Sequence, residues 1–255
     1  MTWVRSPWWD GFWILSGLPI GLALIFLPPA VGFLFFTAAI FLETGHAFSP
    51  IVLAWSHAGL RRIAMDRWVE FVATPLLVFV GVFLVPTNVV FGIYYAWNIY
   101  HFGMQNFGVL SLYKRNQARS LDGRVRDALI CLGLTAFGMG ALPLLLSDRS
   151  LSLLLTGVFS FSHWLTDIGL SSRVSRHPWL FITAVLAMGS VGFLWMVPRV
   201  DHMATRVIPA VLTARWGLGF VHFLYSRWVW NISDPKVRAT IGRGIFSADA
   251  VHCGV

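Results

Sequence analysis

Long apolar runs recur along almost the whole of this chain, separated only by short polar or basic stretches, and that repetition constrains the fold more than any other feature. A helix that crosses a bilayer needs about 20 largely apolar residues. Runs of this kind fall at roughly Gly11–Leu27, Ala30–Trp55, Phe71–Val85, Asn88–Tyr113, Ala128–Leu146, Leu151–Leu170, Trp179–Val197 and Ile208–Tyr225. They predict an all-α, polytopic transmembrane bundle of about eight helices. No Ser/Gly/Pro-rich linker divides the chain, so residues 1–255 read as one integral membrane domain with a tail from about residue 228. Composition agrees: only 12% of residues are charged, where a water-facing domain carries about 25%. The first run ends at Pro28-Pro29 without a small-residue cleavage site, which reads as a first membrane helix rather than a signal peptide.

The net charge of +8 does not imply nucleic acid as a partner, because the basic residues lie in clusters between the apolar runs. Such clusters orient membrane helices, with Lys and Arg retained on the cytoplasmic side. Alternating sides along the eight runs, Arg5, Arg61, Arg62, Arg67, Lys114, Arg115, Arg119, Arg124, Arg126, Arg173, Arg176, Arg227, Lys236, Arg238 and Arg243 share one side. Arg149, Arg199 and Arg206 share the other, and Arg215 falls within the last run. The asymmetry predicts both termini in the cytoplasm, a multi-pass protein of a bacterial-type plasma membrane, and lipids as partners.

Ionisable groups are expensive inside a membrane, so those that persist usually face the bundle interior and mark function. Here the even-numbered runs carry them: Glu43 and His46; Asn98, His101 and Gln105; His163 and Asp167; Arg215 and His222. Residues three and four apart share a helix face. Glu43 and His46 stand at i, i+3, His101 and Gln105 at i, i+4, and His163 and Asp167 at i, i+4, so each set presents one stripe. The even-numbered runs all point the same way in this topology, which allows His46, His101, His163 and His222 to lie at similar depth. Ser49-Pro50 is expected to bend the second helix, since proline removes a backbone hydrogen bond. Gly103 and Gly108 read as close-packing positions. Arg215 reads as structural, paired with Glu43 or Asp167 or snorkelling to the interface, with an anionic headgroup or carboxylate as the alternative.

Imidazoles with oxygen co-ligands suit iron, zinc or manganese. The expected ligands are His46, His101, His163, His222 and Glu43, with Asn98, Gln105, Asp167 and Arg215 as supporting or substrate-facing groups. Cys131 and Cys253 form no metal-binding spacing. The chain has two glutamates, Glu43 and Glu70, and Glu43 and Asp167 are the only carboxylates expected within the bundle. That inventory excludes a four-carboxylate di-iron site. Non-haem iron is the leading cofactor, with zinc, manganese or haem as alternatives. His57 is expected near the interface, and His177, His202 and His252 outside the spans.

His101-Phe102-Gly103 with a polar residue just after, set among several inward histidines on many spans, resembles the Brp/Blh-type membrane carotenoid dioxygenases. The resemblance implies a polytopic enzyme that cleaves a carotenoid, with iron on histidines. It reaches His101 directly, and His46, His163 and His222 by their place in the bundle; Gln105 stands where an acidic partner is expected. The longer strings Glu43–His46, His101–Arg115 and His163–Arg173 are similar to a group of uncharacterised bacterial polytopic proteins, which imply no activity.

The sequence therefore predicts an enzyme that oxidises a hydrophobic small molecule, such as a carotenoid, another isoprenoid or a fatty lipid. Three other classes fit the same residues. One is electron transfer with non-covalent haem and a quinone. Another is a proton- or ion-coupled transporter using Glu43, His46 and Asp167. The last is an assembly partner of a membrane complex. No phosphate-binding loop, nucleophile elbow or nucleotide fingerprint occurs.

Overall fold

A computed structural model describes residues 6–16, 19, 29–116, 123–141, 163–196 and 207–245. Among these residues every regular element is helical and no strand occurs, so the fold is all-α. The elements are α1 (Pro7–Asp10, continued by a π-helical turn Gly11–Leu15), α2 (Pro29–Ser56), α3 (Ala58–Asp66) and α4 (Thr74–Gly81). A π-helical turn at Val69–Ala73 precedes α4 and a 3₁₀ turn at Val82–Leu84 follows it. Then come α5 (Thr87–Asn116), α6 (Arg124–Thr135, continued by Ala136–Ala141), α7 (163–174), α8 (Pro178–Met196), α9 (Val207–Val229) and α10 (Pro235–Ile245). Helices α2, α5, α8 and α9 match the predicted runs closely. Most of the first run, the end of the fifth and the beginning of the sixth lie outside the described residues. So do Arg149, Arg199, His202, Arg206, His252 and Cys253.

Among the described residues no single helix is long and apolar enough to cross a membrane; Ala58–Asp66 and Val69–Leu84 reach that standard only as a pair, bent by 94°. The long helices α5 and α9 are interrupted by the polar residues that make them interesting. Two elements were not anticipated, α3 and α10, because each is short and amphipathic rather than uniformly apolar. Helix α2 runs through Pro50 without a break.

The chain forms two compact units: Met1–Leu42 with Asn98–Leu170 and Arg243–Val255, and Glu43–Trp97 with Ser171–Gly242. In the first, Trp13 packs against Trp164 and Leu165, and the Thr166 hydroxyl donates to the Trp13 carbonyl at 3.3 Å. Gly103 lets α5 meet α6: a Cβ there would come within 3.0 Å of Leu132 Cα. Gly108, by contrast, would meet nothing within 4 Å, so the packing role expected of it does not appear among the described residues.

In the second unit the order of contacts gives the direction of the helices. Glu43, His46 and Trp55 on α2 meet Arg215, His222 and Tyr225 on α9, in rising order along both, so the two run parallel. Tyr94 on α5 touches Phe220 and Phe223 while Phe91 touches Trp216, again parallel. The segment around α4 runs the other way: Phe71 faces Tyr225, and Phe79 faces Gly217. The second, fourth and eighth runs parallel, with the third antiparallel to them, is the arrangement expected of short connections between successive helices.

Candidate metal centre

Each unit places two histidines from different helices side by side. In the second unit His46 on α2 and His222 on α9 have ring centroids 4.5 Å apart and cross at 64°. His46 Nδ1–H donates to the Glu43 carbonyl at 2.7 Å. That bond fixes the ring against its own helix and assigns the lone pair to Nε2. His222 is packed by Ser226, one turn on, whose hydroxyl lies 3.4 Å from Nε2. Both rings are buried.

In the first unit His101 on α5 and His163 on α7 have centroids 4.9 Å apart at 79°. Phe102 stacks on the His163 ring at 3.8 Å, and Gln105 Nε2 donates to the His163 carbonyl at 3.3 Å. One helical turn thus supplies His101, Phe102 and Gln105 to the same neighbour. Asp167 is buried one turn beyond His163, and Asn98 is half-buried one turn before His101. Among the described residues, three buried histidines offer a ring nitrogen as a metal ligand: His46, His163 and His222.

The ring separations suit a shared ion. With metal–nitrogen bonds of about 2.1 Å, two imidazoles on one ion have centroids about 4.5 Å apart at a right angle and about 5.2 Å apart at the tetrahedral angle. Both observed pairs fall in that interval.

Glu43, expected as a ligand, forms an ion pair with Arg215. Arg215 was expected to be structural, with Glu43 as one partner, and this is the partner the fold selects. Tyr94 shares that surrounding: its electrostatic neighbours are Glu43 and Arg215. Gly219 admits it, since a Cβ there would lie 2.4 Å from the Tyr94 ring.

The carboxylate inventory needs correction. Asp10 is fully buried and Asp127 nearly so, although the sequence places both one residue outside a predicted run. Tyr113 donates to Asp10 Oδ2 at 3.0 Å, and Lys114 pairs with Asp127. The available signal was their position: a lone acid at the edge of an apolar run is buried when its partner sits at the end of a neighbouring helix. His57 is a cap, its Nδ1 accepting from the Leu60 amide at 3.4 Å. No family model, no curated protein and no solved structure matches the chain.

Proposed function

We propose that this chain is a membrane-embedded metalloprotein whose histidines hold a non-haem metal ion, and that it oxidises a lipid-soluble substrate such as a carotenoid, another isoprenoid or a fatty lipid. The observation that carries the reading is the pairing of His46 with His222 and of His101 with His163, each at the separation of two imidazoles on one ion. Iron is the metal of choice because dioxygen chemistry on a lipid-soluble substrate is served by an ion that changes redox state, which zinc does not, and imidazole suits iron. Bound there, the ion would supply dioxygen chemistry. The chain's own residues orient the ligands: the Glu43 carbonyl holds His46, Phe102 flattens against His163, and Gln105 braces the helix turn that carries it.

The membrane part of the proposal is supported by apolar side chains open to the surroundings. Val125, Leu129, Ile130, Leu134 and Phe137 are all more than half exposed along α6 and its extension, as are Trp179 and Leu180 on α8 and Leu76 and Leu77 on α4. Monomers in water rarely leave so many large apolar side chains uncovered.

The test is metal analysis with an absorbance spectrum on detergent-purified protein, comparing wild type with His46→Ala and His163→Ala. About one or two irons per chain are expected, without a Soret band, and each variant should lose the ion of the pair it breaks. A Soret band would transfer the assignment to haem electron transfer. Folded protein holding neither metal nor haem, and never exposed to chelator, would sink the metalloenzyme and leave a transporter or an assembly partner. The part-buried Glu43–Arg215 ion pair favours the transporter among these readings, because ionisable residues on the helices of a membrane bundle pair with one another and mark ion paths.

A further inference from the structure

Helices α3 and α10 are short and amphipathic, and they are fastened to each other. Gly59 on α3 lies so close to α10 that a Cβ would meet Thr240 Cγ2 at 2.5 Å. Asp234 caps α10 through Oδ1, which accepts from the Lys236 amide at 2.9 Å, and its Oδ2 accepts from Arg67 Nη1 at 3.1 Å. Arg67 also pairs with Glu70. One arginine therefore joins the segment after α3 to the start of α10, and its own charge is consumed in doing so.

Both helices turn an apolar side inward: Leu60, Ile63 and Ala64 on α3, Val237 and Ile241 on α10. What they leave outward differs from an ordinary solvated face. On α3, Arg61 and Arg62 are exposed and flank Met65, which is 60% exposed. Trp68 and Val69 follow at 58% and 54%. On α10, Lys236 is exposed and Arg238 half-exposed. None of these four cations forms an ion pair with another described residue, and Asp66 is the one exposed acid beside them. Exposed apolar side chains interleaved with unpaired cations are what a helix presents to the anionic face of a bilayer, where the apolar groups enter the acyl boundary and the cations meet phosphate.

We infer that α3 and α10 form a docking platform for anionic phospholipid headgroups, with Arg61, Arg62, Lys236 and Arg238 as the phosphate-binding groups and Met65 and Trp68 as the apolar anchors. The inference rests on the membrane assignment above, and it goes beyond charge-directed topology: it requires lipid selectivity in the finished protein. A basic side chain near an anionic surface multiplies partition by about five-fold.

The full chain is to be placed in nanodiscs of phosphatidylcholine alone or of an equal mixture with phosphatidylglycerol, and the lipid it retains on detergent extraction is to be quantified. Wild type should retain phosphatidylglycerol in excess over the mixture supplied. Arg61→Gln/Arg62→Gln should lower that excess by at least about five-fold, and adding Lys236→Gln/Arg238→Gln should abolish it. Arg61→Lys/Arg62→Lys should keep it. Equal melting of all variants in pure phosphatidylcholine shows that they fold alike. Wild type that enters discs and retains both lipids in the supplied ratio would overturn the platform alone. A chain that stays monodisperse without detergent would overturn the membrane assignment with it.

Discussion

His57 shows how one residue ties local structure to pH. Burial holds its ring below the ordinary histidine value of 6.5, and a neutral Nδ1 is needed to accept the Leu60 amide. Because the folded value is depressed, the cap's contribution is complete above the unfolded value and is lost as pH falls through the folded one. Amide exchange at Leu60 should therefore quicken on acidification, and His57→Asn, which keeps an acceptor that does not titrate, should remove the dependence. Loss of the cap in His57→Ala should cost about 1 kcal/mol. Glu43 and Arg215 offer a second prediction at this scale. Glu43→Gln leaves a cation whose partner has gone; with Arg215 side chain 36% exposed, the cost should be about 2 kcal/mol, below that of a fully buried pair. Arg215→Met alone should cost a similar amount, and the double variant less than the sum, read from thermal melting in detergent.

At the scale of elements, close approach between helices is set by single glycines. Gly219→Val should force Tyr94 away from α9, because the ring lies 2.4 Å from where a Cβ would stand; overpacking of this kind costs about 1–3 kcal/mol. Gly108→Ala, at a position that meets nothing, should be neutral or slightly stabilising in a helix, and the two melting curves together check the contrast. Helices α2, α5, α8 and α9 were legible from apolar run length alone, to within a few residues at their ends. Helices α3 and α10 were not, because an amphipathic segment of nine or eleven residues looks like a polar connection once attention is on membrane-length runs.

For the whole molecule, the exposed apolar faces of α4, α6 and α8 should make detergent or lipid necessary for a monodisperse preparation. A lipid-soluble photolabel should mark Leu129, Leu134 and Trp179 ahead of the buried Leu53 and Ile168. Labelling that follows no such order would mean that those faces are covered by protein rather than lipid.

By itself the sequence determined that the chain is helical, where most long helices lie, and that its imidazoles and acids sit on matched stripes. Those properties are local: run length and spacing along one helix fix them. Which stripe meets which was decided by tertiary structure. His101 and Gln105 could have faced several neighbours and meet His163; Glu43 could have faced several and meets Arg215. Asp10 and Asp127 looked peripheral because each stands outside an apolar run, yet Tyr113 and Lys114 enclose them. Partners that lie 13, 103 or 172 residues away in the chain leave no periodic trace, since burial of a polar group depends on what another helix brings to it and not on its own neighbours.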